Sequence, residues 1–177
     1  EANQVDVTFN RPYDENTAEE NDFSVNNGLG WPNSITFPNN QTVILSYNDP
    51  IPSGNYILTV NDIDDENGET IAANTTESFT IFGNYTDGDI IINEFSYDYP
   101  TTINEEYIEI KNTSNKYLNL AEWQIADNKN SSGLGSDPIP IEPDSFLVIS
   151  ADTAELTTIF GNRAYHEYSF PALNNTT

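Results

Sequence analysis

The chain contains no cysteine, which excludes disulfides, thiolate metal sites and cysteine nucleophiles. It has no methionine either, not even an initiator, so it reads as a processed or excised piece. Histidine occurs once, as His166 between Tyr165 and Glu167. A single imidazole leaves little acid–base equipment at neutral pH, and a catalytic triad needs a base beside its nucleophile. Bases are scarce: 5 Lys and Arg face 29 Asp and Glu, for a net charge of −24. A field of that sign repels polyanions, which argues against nucleic acid or anionic lipid as a direct partner. Divalent cations and basic surfaces are attracted by it. No apolar run approaches the roughly 20 residues of a membrane span, and no export signal peptide is present.

The residues that are there suit a folded chain. Hydrophobic residues make up only 36%, but 10 Tyr, 9 Phe and 2 Trp supply large rings for a core. A length of 177 residues fits one large domain or two small ones. The acids are spread evenly: residues 1–86 carry 14 acids and the single base Arg11, and residues 87–177 carry 15 acids and four bases. This is therefore not a neutral domain with an acidic tail.

Short alternating runs broken by Asn, Gly, Pro and Asp give the pattern of an all-β chain. Val5, Val7 and Phe9 alternate with polar residues, as do Ile35 and Phe37, then Val43, Leu45 and Tyr47, then Tyr56, Leu58 and Val60. Phe79 and Ile81 close this half. Residues 83–88 (GNYTDG) read as the linker, dividing the chain into 1–84 and 85–177. In the second half Ile90, Ile92 and Glu94 share one strand face and Ile91 and Phe95 the other. Ile108 and Ile110 point inward from the next strand, and Trp123 belongs to the core. Residues 127–138 read as a polar loop and 145–150 as a central strand. Asp152, Glu155 and Gly161 mark the cap, first turn and end of one short helix.

Residues 5–25 (VDVTFNRPYDENTAEENDFSV), 51–69 (IPSGNYILTVNDIDDENGE) and 78–81 (SFTI) resemble the bacterial Ig-like domains strung along surface-layer and other exported proteins. Residues 92–98 (INEFSYD), 105–127 (EEYIEIKNTSNKYLNLAEWQIAD), 139–152 (IPIEPDSFLVISAD) and 170–175 (FPALNN) resemble the lamin-tail domain, an Ig-like sandwich. The resemblances imply two immunoglobulin-like β-sandwiches in tandem. They also imply a secreted or cell-surface bacterial setting, with other domains of a larger exported protein as partners. Lamin-tail domains continue past the Asn-Asn pair, so the resemblance implies a C-terminally incomplete sandwich at Thr177. An open strand edge of that kind permits strand exchange or a homo-oligomer.

Three constellations are candidates for chemistry. Asp62, Asp64, Asp65 and Glu66, followed by Asn67-Gly68, offer the clustered oxygens that Ca²⁺ takes. The spacing departs from an EF-hand loop, and an Asn-Gly turn solvated by acids gives the same pattern. Trp31, Tyr97 and Tyr99 are candidate stacking rings for an extracellular polysaccharide, although loop packing beside Pro is the commoner fate of such rings. Glu94, Glu105, Glu106 and Glu109 offer a carboxylate pair, with hydrogen-bonded structural acids as the plainer alternative. The expectation is a non-catalytic spacer or adhesion module needing no cofactor. The alternative is a calcium-assisted carbohydrate-binding module.

Overall fold

The computed structural model describes residues 2–96, 106–126 and 130–168. The chain divides into two compact units, Glu1–Ile81 and Phe82–Thr177. The architecture is mostly β-strands in several sheets with one short helix. Among the described residues no helix is long and apolar enough to cross a membrane.

In the first unit the period-two alternation sets six strands: β1 (Gln4–Thr8), β2 (Phe23–Val25), β3 (Ser34–Asn39), β4 (Thr42–Ser46), β5 (Gly54–Val60) and β6 (Thr75–Ile81). They form two antiparallel three-stranded sheets, ordered β1-β4-β3 and β2-β5-β6. Val43 and Leu45 from the first sheet and Phe23, Tyr56, Leu58 and Val60 from the second meet in one core. Pro38 sits near the end of β3, where the register slips between Thr36 and Asn39. That is where an edge strand tolerates a residue with no N–H. Two short 3-10 turns, Glu15–Thr17 and Glu20–Asp22, occupy the polar stretch before β2. Tyr13 is buried at their entrance, its hydroxyl within hydrogen-bond distance of the Asn39 and Thr42 carbonyls.

The second unit is built on a four-stranded sheet. Its strands are β7 (Ile90–Ser96), β8 (Tyr107–Asn112), β13 (Phe146–Ser150) and β14 (Tyr165–Glu167), in the order β14-β13-β8-β7. Two small ribbons complete it. One pairs β9 (Leu118–Asn119) with β12 (Pro140–Ile141), and the other pairs β10 (Gln124–Ala126) with β11 (Ser131–Gly133). The inner face of the sheet packs Ile108, Ile110, Leu147 and Ile149 against Leu118, Leu120, Leu134, Ile139 and Ile141. The outer face carries a smaller cluster of Tyr107, Val148 and Leu156. Leu156 lies on the helix α1 (Thr153–Phe160). β8 is therefore covered on both faces, unlike a strand with one solvated side.

Three sequence-based expectations change. Asn93 is an extra residue in β7, and the register shifts between Ile92 and Glu94. Glu94 consequently stands opposite Glu109 on the outer face, while Phe95 joins Ile92 on the inner face, opposite Ile108. A bulge of one residue reverses every later side chain in its strand. The polar loop of residues 127–138 contains β11, because backbone pairing with β10 needs no apolar side chains. Leu134, just after it, is 3% exposed and joins the core. Residues 83–88, read as the linker, are tied to the second unit. The Gly83 N–H donates to the Tyr117 carbonyl, and Lys116 Nζ donates to the Asn84 carbonyl.

Candidate functional site

The acidic turn of the first unit follows β5. Its backbone reverses at Asp62 (φ 56°) and again at Gly68 (φ 80°), left-handed positions that Asp and Gly tolerate. The four acids do not converge. Asp65 Oδ1 accepts from the Asn67 and Glu69 N–H groups, and its Oδ2 accepts from Arg11 at 3.1 Å. Those two N–H groups, followed by the Arg11 guanidinium, hold the Asp65 carboxyl below the usual carboxylate range. Asp64 accepts from the Thr70 hydroxyl, and Glu66 accepts from the Asn40 amide. Three of the four carboxylates thus accept from different donors, and those bonds hold the turn. Among the described residues no group of three His, Cys, Asp or Glu is placed to hold a metal ion.

Of the three candidate rings, Tyr97 and Tyr99 lie outside the described residues. Trp31 is 63% exposed beside the buried Pro32, so its ring faces solvent. Trp123 packs against the second core, with the Tyr85 ring at 4.8 Å.

The carboxylates of the second unit are built into its sheet. Glu109 is 5% exposed on β8. It accepts from Asn93 Nδ2 at 2.6 Å and from Arg163 Nη1 at 2.9 Å, so the bulge residue and a residue just before β14 share one acid. Beside it the Tyr107 hydroxyl donates to Glu94 at 2.7 Å. Burial, and then the Glu94 carboxylate, push the Tyr107 phenol up to about 12. Glu105 lies outside the described residues. A buried carboxylate with a charged donor and an amide on it is satisfied rather than poised. His166 is held in a similar way, its Nε2 lying 3.2 Å from the Leu134 carbonyl and its ring 5.9 Å from that of Tyr168.

Sequence reasoning missed two residues that organise this unit. Arg163 gave no local sign of pairing with Glu109. The available clue was Glu109 itself, an acid between two isoleucines in a dense strand. The other is Asn112, which is fully buried. Its Nδ2 lies within 3.1 Å of the Lys116, Ile141 and Glu142 carbonyls, and its Oδ1 accepts from the Ser114 N–H and hydroxyl. It locks the end of β8 to β12. Nearby, Lys116 Nζ meets Asp89 Oδ2 at 2.5 Å and also bonds Thr86. The Lys116 ammonium holds the Asp89 carboxyl below the usual range.

Comparison with known proteins gives one match. The family model described as the lamin tail domain matches residues 84–176, just over half of the 177 residues. No curated protein matches the chain. No solved structure matches it.

Proposed function

This chain belongs to the lamin tail domain family, a non-enzymatic family of Ig-like fold, and from that premise we propose that it is a non-catalytic structural module. On this reading it is a spacer or adhesive segment of a secreted or cell-surface protein. We further read the first unit as an Ig-like domain of the kind found on exported bacterial proteins, giving two sandwiches in series. The two antiparallel sheets around one core support that reading.

One observation carries the non-catalytic reading: each buried acid among the described residues is engaged within its own unit. Asp22 accepts from the Glu19 N–H, Asp65 from its own turn and Arg11, and Glu109 from Asn93 and Arg163. Acid–base catalysis needs a group able to exchange a proton with substrate, and these groups instead hold the fold. The net charge of −24 suits a module that must stay soluble and unaggregated.

The calcium-assisted carbohydrate alternative keeps one supporting feature, the exposed ring of Trp31. Protease treatment of intact source cells tests the main reading. Release of peptides from this chain before lysis supports a surface module. Their appearance only after lysis would sink it.

A further inference from the structure

The sheet β2-β5-β6 of the first unit buries Tyr56, Leu58 and Val60 of its central strand. Alternation therefore puts Asn55, Ile57 and Thr59 on its outer face. The register sets Thr80, Ser78 and Thr76 of β6 opposite them, while Glu77 stands opposite Leu58 on the other face. In a chain with 29 acids, these six cross-strand positions carry no charge. An open groove of about 550 Å³ crosses this face, lined by Asn26, Asn27, Asn55, Ile57, Ser78 and Thr80 among others. Among the described residues its lining holds no charged side chain. Its size falls within the range of about 300–1,000 Å³ typical of small-molecule sites.

The three amides of the groove are each half spent. Asn26 Oδ1 accepts from the Ile57 N–H, Asn27 Nδ2 donates to the Asn55 carbonyl, and Asn55 Oδ1 accepts from the Thr80 hydroxyl. Those bonds hold the side chains in place. Among the described residues they leave Asn26 Nδ2 and Asn55 Nδ2 as unspent donors and Asn27 Oδ1 as an unspent acceptor. The turn that carries Asn26 and Asn27 is itself fixed, with Asn27 at φ 54° and Gly28 at φ 84°. Ile57 lies among these polar groups and is 44% exposed.

We propose that this groove binds a neutral saccharide. Sugar hydroxyls both donate and accept, so they match a mixed set of fixed amide donors and acceptors. The C–H face of a pyranose ring covers the exposed Ile57 side chain. β5 is paired on both sides, by β2 and β6, so its side chains and not its backbone do the recognising. The groove has no base to hold an anionic glycan, which the net charge of −24 also repels. It has no acid to hold a cationic ligand. Neither calcium nor the Trp31 ring is needed, unlike in the calcium-assisted alternative. The inference goes beyond the spacer reading, which needs no ligand and survives its failure.

The test uses the full chain in affinity gel electrophoresis with four neutral polysaccharides, hydroxyethylcellulose, dextran, mannan and starch, and with alginate as the anionic control. The expected result is retardation by at least one neutral polysaccharide and none by alginate, unchanged in EDTA. On titration with an oligosaccharide of the retarding polymer, the side-chain amide NMR signals of Asn26 and Asn55 should shift. Asn26→Asp and Asn55→Asp each keep the oxygen that accepts the internal bond and turn the outward donor into an acceptor. Each should weaken binding by about tenfold or more, a change of 1.4 kcal/mol, in a chain that still unfolds cooperatively. Should one variant fail to fold, the other and the native amide shifts still decide. Retardation by none of the four, equal retardation by alginate, loss of binding in EDTA, unmoved Asn26 and Asn55 signals, or undiminished binding by the folded variants would overturn the proposal.

Discussion

Asn112 illustrates how much one side chain can hold. Its amide is buried among three carbonyls and two donors that belong to the turn after β8 and to the end of β12 and the residue after it. Truncation would strand several of these partners without water, at about 1 kcal/mol per net hydrogen bond lost and more for those left unpaired. Asn112→Ala is therefore expected to destabilise the second unit by about 3 kcal/mol, read as a lower urea midpoint with an unchanged slope. In the first unit, Asp65 makes stability depend on acid. Its folded pKa is lowered by the Glu69 and Asn67 N–H groups and by Arg11, so its contribution is fully present above the ordinary carboxylate range. It is lost as pH falls through the lowered value. The thermal midpoint of the chain should therefore exceed that of Asp65→Asn at neutral pH, and the gap should close below about pH 4. A gap that stays constant with pH would refute this account. Neither role was visible in the sequence. A buried amide and a depressed carboxyl both depend on partners brought in by the fold.

Among the elements, α1 was the most legible, because its signals are local. Asp152 accepts from the Ala154 and Glu155 N–H groups, and Gly161 ends the helix at φ 76°. Asp152→Ala should cost about 1 kcal/mol, measured by denaturant unfolding. The alternating strands β1, β4 and β5 were legible for a similar reason, since period two sorts their side chains directly. β7 was misread because its bulge is fixed by pairing with β8, and the residues Ile92-Asn93-Glu94 do not announce it. β11 was missed because Ser131-Ser132-Gly133 pairs through its backbone. The candidate site divides along the same line. The four acids of the turn stood out in sequence, but Asp64, Asp65 and Glu66 each accept from different donors. The Glu109–Arg163 pair spans 54 residues and was invisible.

At the scale of the whole molecule, charge is the dominant surface property. Twenty-nine acids against five bases repel one another in the folded chain, and salt screens that repulsion. Raising sodium chloride from low to physiological levels should raise the thermal midpoint. At fixed ionic strength, millimolar calcium should add nothing beyond its valence effect, because the acids of the turn do not converge. A rise of about 4–8 °C on adding calcium, equivalent to about 1 kcal/mol for a domain of this size, would instead mean a native-state site. That outcome would revive the calcium-assisted alternative.

The pairing of Glu109 with Arg163 also orders events in time. As the chain leaves the ribosome, β7, β8 and β13 are all available once Ser150 has emerged, so the antiparallel part of the sheet can assemble early. Arg163 arrives later, after α1. Until then, closing the outer face would bury a carboxylate without its cation, which is costly. A nascent chain halted before Arg163 thus lacks the cation that pairs with Glu109, and keeps only the Asn93 amide on that acid.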